Sequence, residues 1–506
     1  MADPRPAEQG EDGSTSAHAL GYRDAVCPEV ADELDSESRS AASRGRDLTV
    51  GSVPRHLLVF SVPMLAQSAV QNAYAIVNGI WVGRGLGTDA LAAITAGFPV
   101  FFMLVAAAMG LTMATNILVA QAYGARDWDR VRHVVRNSVT LIALVGIGTL
   151  IVGELLAAPI LVAMETPGHV LRLASSYLHI YLLTTPLNFG LFLLAACLRG
   201  AGDSKTPVWF QLGALVLNTV LDPLLMFGWL GFPRLGLNGT AWASITSMSA
   251  AFIGLALYLH RTRHLVAPAW RRLGLSRSMT WLTLSIGVPS MIQQAMVSVG
   301  AAVTVGLVNR FGEDAAAAFG AVVRVEQMAL LPALTIGMAI ASLAGQNIGA
   351  RRFDRVREVL RWGVLLSGGF TLFVSLLAAV VPRPLVLMFT GEPDVVELGV
   401  GYLRTVSPAY VCFAVMFAAN GVVNGAGRTF ATTLFTLISI WLVRVPVATV
   451  LSARMDSVRG IWLGIVAGLV VGMLVSLGYY HSGRWRRPVV TRPFQKPAEA
   501  RPDSPA

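Results

Sequence analysis

Charged side chains are scarce in this chain of 506 residues. Asp, Glu, Lys and Arg make up 13% of it and hydrophobic residues 54%, whereas roughly a quarter of the residues in soluble domains are charged. The composition therefore indicates that a lipid bilayer is the solvent. A membrane-spanning helix needs about 20 mostly apolar residues, so the stretch between residues 54 and 481 has room for about twelve such helices.

Cysteine is also rare, since only Cys27, Cys197 and Cys412 occur, far apart in the sequence and without a CxxC spacing. This pattern excludes a disulfide framework and a zinc site of the usual spacing. The chain also lacks a GxxxxGK[ST] nucleotide-binding loop, a metal-spaced His pair and a GxSxG nucleophile motif. ATP-driven transport by this chain alone is thus disfavoured, and we expect an ion gradient, H⁺ or Na⁺, with no other cofactor.

The basic residues that give the chain its net charge of +10 lie in short loops between apolar runs. They form no alternation of basic and aromatic residues that would fit a nucleic acid, so no nucleic-acid partner is expected. The most basic loops carry Arg126, Arg130, Arg132, Arg136, Arg199, Lys205, Arg261, Arg263, Arg271, Arg272, Arg277, Arg351, Arg352, Arg355, Arg357, Arg361 and Arg428. These loops alternate with less basic ones, and the positive-inside rule then predicts that both termini are cytoplasmic.

Twelve apolar runs predict an all-α polytopic membrane protein with twelve transmembrane helices. The runs are 55–82, 90–119, 137–160, 172–197, 207–230, 238–260, 279–309, 316–345, 362–382, 398–421, 431–453 and 460–481. We expect a first lobe over 51–265 (spans 1–6), a cytoplasmic linker over 266–278 and a second lobe over 279–482 (spans 7–12). Residues 1–50 are polar and acidic, and they predict a disordered cytoplasmic tail. Residues 483–506 predict a second, basic and Pro-rich tail whose basic part rests against anionic membrane lipid.

An internal repeat is the most specific feature of the sequence. The segment QAYGARDWDRVRHVVR at 121–136 recurs as QNIGARRFDRVREVLR at 346–361, a spacing of 346 − 121 = 225 residues, and RGAGDS at 199–204 recurs as NGAGRT at 424–429. Duplication of a six-span unit explains both matches. Because six is even, the two halves are predicted to be parallel six-helix repeats with a cavity between them. The repeated loop itself is interpreted as an amphipathic helix that caps the spans, without substrate chemistry.

One acidic residue stands out within the spans of the first half. Asp222 lies in the apolar run QLGALVLNTVLDPLLMFG, and Asn218 precedes it by one helical turn on the same face. Pro223 cannot donate a backbone hydrogen bond and so frees the carbonyl of Thr219. Ionisable residues inside a span are costly and usually mark function. We therefore predict a site for H⁺ or Na⁺ at Asp222 and Asn218, against the alternative of a structural acid paired near the membrane edge.

Other polar and soft side chains are weaker candidates for a substrate cavity. The first span of each half carries a polar stripe at helical spacing, namely Gln67, Gln71, Tyr74 and Asn78 in one and Gln293, Gln294 and Ser298 in the other. Such stripes face a cavity or bond neighbouring helices. Met291 fits an adaptable wall for apolar ligands. For Glu326 a substrate or proton role and a structural partnership with an arginine remain equal alternatives. Arg444 is expected to reach the membrane surface or to pair with another residue.

Several of these segments together resemble the multidrug and toxic compound extrusion (MATE) family over residues 50 to 482. The matching pieces are SVPMLAQ and VNGIWVGRGLG in the first span, VAQAYGARDWDRVR, LRGAGDSKTP, NTVLDPLLMFG, GLNGTAWASI and VRVPVA. The resemblance implies an antiporter that exports cationic or amphipathic small organic molecules in exchange for H⁺ or Na⁺, by rocking two lobes between inward-open and outward-open forms. It also implies a multi-pass protein of a bacterial cell membrane, functioning as a monomer.

Residue by residue, the resemblance to the DinF-like branch places the ion site on Tyr74, Asn78, Asn218, Asp222 and Ser244, with Pro63 where the first helix bends. Two positions depart from the family pattern, since Asn78 stands where Asp is common and Ser244 where Thr is usual. The acid of the seventh span in the NorM-like branch is replaced by Val297. The resemblance therefore implies a coupling site with one acid, Asp222.

Two rival functions stay open at this point. A lipid-linked saccharide or lipid flippase of the same superfamily often carries extra spans or a strongly charged cavity, and neither is evident here. A membrane-embedded enzyme would need polar loops with clusters of His, Asp or Glu, which these short loops lack.

Overall fold

The structure is a computed structural model that describes residues 45–164, 167–269 and 273–486, without the side chains of residues 98–100, 102 and 103. All regular elements in these ranges are helical. Most of the two predicted tails (1–44 and 487–506) lies outside the described residues, as do Arg271 and Arg272 of the linker.

The described residues of the first half form seven helices. They are α1 (Val53–Leu86), α2 (Thr88–Gly124), α3 (Trp128–Ala163), α4 (Gly168–Leu182), α5 (Thr185–Gly200), α6 (Thr206–Phe227) and α7 (Leu237–Arg261), with a short 3₁₀ turn at Trp229–Gly231. Helices α4 and α5 are bent by 45° at a short break and together form one predicted span.

The second half repeats this order. It contains α8 (Arg277–Asn309), α9 (Glu313–Gly349), α10 (Phe353–Val380), the short α11 (Pro382–Leu387), α12 (Pro393–Val406), α13 (Tyr410–Gly425), α14 (Thr429–Thr436), a π-helical segment (Leu437–Arg444), α15 (Val445–Met455) and α16 (Arg459–His481). Helices α12 and α13 form one span, and α14, the π-helical segment and α15 form another.

Among the described residues, ten helical stretches are long and apolar enough to cross a membrane, and the bent pair α4–α5 is an eleventh. Helix α1 falls outside this set although its 34 residues are long enough to span. Its polar stripe explains the difference. The prediction of an all-α polytopic membrane protein with two six-helix repeats is confirmed.

The repeated loop is shorter than its amphipathic pattern suggested. Helix α2 runs to Gly124, and α3 starts at Trp128 after Asp127, whose side chain accepts a hydrogen bond from the Arg130 N–H at 3.0 Å. Between them Arg126 has a φ of 56°, and Arg351 has a φ of 58° in the second copy. The interpretation as a separate capping helix is therefore wrong: the motif is a tight turn whose charged residues begin the next span.

Conserved spacing between the repeats places two glutamines at the contact between the halves. The Gln121 side-chain amide donates to the Gly425 carbonyl at 2.8 Å, and that of Gln346 donates to the Gly200 carbonyl at 2.9 Å. We call these four residues the clasp. The two glutamines are 346 − 121 = 225 residues apart and the two glycines 425 − 200 = 225, the spacing of the repeated motifs, so the clasp joins the halves with approximate two-fold symmetry.

Close backbone contact surrounds the clasp. A Cβ added to Gly124 would lie 1.8 Å from the Gln346 carbonyl oxygen, and one added to Gly349 would lie 2.0 Å from that of Gln121. Only glycine permits this approach. The halves are therefore in tight contact at the end of the bundle where α2 and α9 finish.

Residues 45–52, which we call the strap, cross both halves at this same end. On the first half the Arg46 N–H donates to the Ala201 carbonyl at 3.1 Å. On the second half the Leu48 N–H donates to Gln346 Oε1 at 2.9 Å, and Arg352 and Arg355 donate to the carbonyls of Thr49 and Gly51, both at 2.8 Å. The prediction of a disordered tail over 1–50 is wrong for residues 45–50, because local composition did not show these main-chain contacts.

The predicted tail at the other terminus also begins later than expected. Residues Arg484–Arg486 form a 3₁₀ turn, and Trp485 is 1% exposed within the apolar cluster that contains Leu48 and Leu57. The second lobe therefore extends to residue 486.

Helix α1 contacts both halves along its length. Leu57, Phe60 and Met64 pack in one apolar cluster with Ile340 of α9. Further along, α1 packs against α6, the helix that carries Asp222. Pro63, inside an otherwise continuous helix, lies close to the point where α1 passes from one half to the other.

Candidate functional site

Four of the five predicted ion-coupling residues come together inside the first half. Tyr74 belongs to α1, Asn218 and Asp222 to α6, and Ser244 to α7. The Tyr74 hydroxyl donates to Ser244 Oγ at 2.7 Å. With its nitrogen turned toward the acid, the Asn218 amide donates to Asp222 Oδ2 at 3.1 Å, and its oxygen accepts from the Ser244 N–H at 3.3 Å.

The carboxylate of Asp222 is fully buried in this network, which is unusual for an acidic side chain. Asp222 has no exposed surface, and Asn218 and Ser244 are 1% exposed. The second carboxylate oxygen, Oδ1, has no hydrogen-bond partner. A buried carboxylate without a cation or a full set of donors is costly. A proton on Oδ1 removes that cost, and so does a cation.

The donor set also suits Na⁺ as a transported ion. A carboxylate, an amide oxygen and two hydroxyls are hard oxygen ligands of the kind that non-transition cations prefer. The Asn218 amide can present its nitrogen to an ionised carboxylate or its oxygen to a cation. The residues present fit H⁺ or Na⁺ equally, and an ion site at Asp222 and Asn218 stays a prediction.

Asn78, the fifth predicted residue, lies one turn after Tyr74 on α1 and is 8% exposed. Within the described part of the chain it makes no hydrogen bond to the other four. It is thus buried in the same region without belonging to the network in this structure.

The second half contains its own charged cluster. The Tyr402 hydroxyl on α12 donates to Glu326 Oε2 on α9 at 2.9 Å. The Tyr402 ring packs edge-on against Trp462 of α16, with 4.7 Å between the ring centroids. Arg444, the last residue of the π-helical segment, interacts electrostatically with Glu326 and Tyr402 but forms no ion pair within 4.0 Å. Arg444 is half-buried near Glu326, so the expectation that it pairs or reaches the membrane surface stays a prediction.

The polar stripes of the lead helices have different roles in the two halves. Gln293 bonds α14, since its amide donates to Thr436 Oγ1 at 3.0 Å, so it stabilises helix packing. Gln294 is half-buried, Gln67 is 9% exposed and Gln71 is exposed. None of these three makes a hydrogen bond within the described residues, which leaves them available to a cavity.

Met291 packs between the halves instead of lining an open wall. A Cβ added to Gly110 of α2 would lie 2.2 Å from Met291 Cγ and 2.5 Å from the Gly287 carbonyl oxygen. Helices α2 and α8 therefore touch closely here.

Three sets of residues were missed by the sequence reasoning. Tyr402 carries no signal of its own, although it lies 402 − 177 = 225 residues after Tyr177, the spacing of the repeat. The Glu154 carboxylate of α3 is hydrogen-bonded to the His179 ring of α4. The glutamines of the clasp lay in the repeat, but only the fold shows that they bind the opposite half.

Comparison with known proteins supports the same architecture. The MatE family model matches residues 63–224 and 289–450, one segment in each half. The chain is 33% identical over 448 residues to the probable multidrug resistance protein YoeA of Bacillus subtilis (strain 168), covering 88% of this chain and 96% of that protein. It is 31% identical over 444 residues to the probable multidrug resistance protein YpnP of the same organism, covering 87% and 97%.

A solved structure described as MATE in the bent conformation superposes with a TM-score of 0.81 at 25% identity, covering 86% of this chain and 96% of that one. The fold, the duplicated family match and the two relatives agree. The chain belongs to the multidrug and toxic compound extrusion (MATE) family of multi-pass membrane transporters.

Proposed function

We propose that the chain is a secondary active antiporter that exports small cationic or amphipathic organic compounds in exchange for H⁺ or Na⁺. The observation that carries this proposal is Asp222, a fully buried carboxylate with one unpartnered oxygen in a network of neutral oxygen groups. Such a group needs a proton or a cation when it is closed off from water. It is therefore suited to taking up an ion on one side of the membrane and releasing it on the other.

Helix α1 connects the Asp222 network to the contact between the halves. Tyr74 of α1 reaches the Asp222 network through Ser244, and the start of α1 packs on the second half. Loss or gain of the ion changes the attraction between Asp222 and its neighbours, and a bend at Pro63 would pass this change to the contact between halves. Proline permits such a bend because it removes one helical hydrogen bond.

Two lobes, residues 51–265 and 279–482 with the linker 266–278 between them, are proposed to rock about this contact. The clasp and the strap hold them together at the end where the basic loops lie. If those loops and both termini are cytoplasmic, this contact closes the cytoplasmic side, as expected of an outward-open form. We place the protein in a bacterial cell membrane, where one chain suffices because both lobes and the ion site lie within it.

Transport by the full-length chain in proteoliposomes tests the proposal, with pH and Na⁺ gradients imposed separately and rhodamine 123 as the cationic probe. Wild-type protein is expected to transport the dye when one of the two ion gradients is imposed. Asp222→Asn should stop that movement, and Asp394→Asn, at an exposed position at the start of α12, is the matched control. Full gradient-driven export by Asp222→Asn would overturn the ion-site assignment. Dye release that ignores both gradients would favour the flippase alternative.

A further inference from the structure

The charges of the second half do not form a closed ion pair. Arg444 is permanently charged, because the guanidinium does not lose its proton in proteins. Its Nε is buried without a hydrogen-bond partner, and the side chain forms no ion pair with Glu326 within 4.0 Å. A cation held in this way inside a span is costly unless a counter-charge or water reaches it.

Position along the helices places both charges near mid-membrane. At 1.5 Å per residue, Glu326 lies about 20 Å from the start of α9, and Arg444 lies about 22 Å from the start of α14. The halves contact each other at the opposite end of α9, through the clasp. Both side chains keep partial exposure, whereas Tyr402 is 1% and Tyr410 0% exposed. Because ionisable residues at this depth face protein or water and avoid lipid, we expect their exposed parts to face a water-filled space.

Donors outnumber acceptors in this cluster. Glu326 is its only acid, and one of its oxygens already accepts from Tyr402. The Tyr410 hydroxyl lies near Glu326 and Tyr402 but makes no hydrogen bond of good geometry. The Arg444 Nε–H is likewise unused. An oxyanion would satisfy these donors, and arginine binds carboxylate and phosphate-like groups with charge-assisted hydrogen bonds.

We propose that Arg444 binds the oxyanion group of an amphipathic substrate in the second half, together with the Tyr410 hydroxyl near Glu326 and Tyr402, while Glu326 restrains the affinity for that group. This inference rests on the proposed function and adds compounds that carry a carboxylate, sulfonate or phosphate to its substrate class. The ion site at Asp222 and the substrate site at Arg444 then lie in different halves.

The test is direct binding of a matched pair of dyes to the purified full-length chain in detergent, measured by fluorescence polarisation. Carboxyfluorescein is the anionic probe and rhodamine 123 the cationic one. Arg444→Gln is expected to weaken carboxyfluorescein binding by about 10-fold or more, the effect of losing a charge-assisted hydrogen bond. The affinity of Arg444→Lys for carboxyfluorescein should fall between those of wild type and Arg444→Gln. Arg454→Gln, at an exposed position on α15, should bind the dye like wild type.

Glu326→Gln should change the carboxyfluorescein affinity in the opposite direction to Arg444→Gln, and a misfolded variant would not show such a gain. Removal of the negative charge next to Arg444 should tighten carboxyfluorescein binding severalfold. Equal carboxyfluorescein affinity in wild type and Arg444→Gln would overturn the inference, and so would rhodamine 123 binding by a wild-type chain that does not bind carboxyfluorescein. Gradient-driven export of rhodamine 123 by that same chain would show that the proposed function stands while the oxyanion site fails.

Discussion

The two halves share a scaffold but differ in how they hold charge. In the first half a single acid, Asp222, is fully enclosed and contacts only neutral groups. In the second half Glu326 and Arg444 carry opposite charges, keep partial exposure and stay apart. The tyrosine at the same place in the repeat is Tyr177 in one half and Tyr402 in the other. Duplication thus preserved helix positions and allowed the buried polar chemistry to separate into two kinds of site.

The largest expected effect separates the two acids. Asp222→Asn should reduce gradient-driven dye export to the level of protein-free liposomes, because the amide can neither release a proton nor neutralise a cation. Glu326→Gln should keep gradient-driven export of a cationic dye, since its carboxylate is not the enclosed one. Transport under imposed gradients measures both variants.

The opposite result would contradict the assignment of the coupling acid to the first half. Export that survives Asp222→Asn and is lost in Glu326→Gln would move the coupling ion to the second half. Arg454→Gln controls for the loss of any charge from the spans.

The next effect concerns the contact that the halves share. Gly124→Ala should lower the free energy of unfolding by about 3 kcal/mol, the upper end for forcing a methyl group into a packed site, because the new carbon would lie 1.8 Å from a backbone oxygen of Gln346. Gly349→Ala should do the same, since its geometry is equivalent. Unfolding in a titration with SDS measures the change.

Gly148→Ala is the matched control for these variants. It lies on α3 with nothing within 4 Å of an added Cβ, so alanine should be neutral or stabilising by up to about 1 kcal/mol. A loss of stability in Gly148→Ala as large as in Gly124→Ala would show that helix propensity, and not the contact between halves, sets the result.

A smaller effect distinguishes the two glutamines of the clasp. Gln346 donates to Gly200 and also accepts from the Leu48 N–H, whereas Gln121 donates to Gly425 and its own oxygen has no partner. At about 1 kcal/mol per hydrogen bond, Gln346→Ala should cost about 2 kcal/mol and Gln121→Ala about 1 kcal/mol. The same SDS titration compares them, and equal losses would mean that the strap adds nothing to the clasp.

The smallest effect is a pH dependence of the strap. Burial of Asp47 opposes ionisation, but hydrogen bonds from the Thr49 hydroxyl and N–H and the charges of Arg126 and Arg352 lower its pKa below the usual 3.8. A lowered pKa means that Asp47 stabilises the fold above pH 3.8 and loses this effect as the pH falls through the folded value.

Asp47→Asn should therefore lower the free energy of unfolding at pH 7 by no more than about 1 kcal/mol, as for a partly exposed ion pair. Thermal unfolding measures this loss as a lower transition temperature. The difference from wild type should vanish in acid below the folded pKa. A difference that persists there would assign the effect to lost packing and not to charge.

Sequence reasoning predicted the fold better than the site. Apolar runs report membrane burial directly, and an identical spacing of two motifs reports duplication, so twelve spans and two repeats could be predicted. Asp222 and Asn218 were found because an acid within an apolar run is costly and one helical turn places them together. Residues 45–50 were assigned wrongly, because Leu48 and Thr49 are buried by partners about 300 positions away.

The second-half cluster shows why the rest could not be predicted. Glu326, Tyr402 and Arg444 come from three helices separated by long stretches of sequence. Arg444 lies in the family-like segment VRVPVA, but nothing in that segment indicates which residues surround it. The role of Arg444 also depends on the π-helical segment that ends at it, because the extra residue in a π-helical turn changes the direction in which the following side chains point. A sequence pattern based on the α-helical period does not contain that change.

The clasp joins the halves with neutral groups only, since both donors are glutamine amides and both acceptors are glycine carbonyls. Breaking these bonds moves no net charge through the membrane field and requires no counter-ion. In the proposed cycle, the rate at which the lobes part at this end should therefore depend little on membrane voltage or ionic strength. Electrical sensitivity of exchange would then come from the ion at Asp222 and from the charge of the substrate.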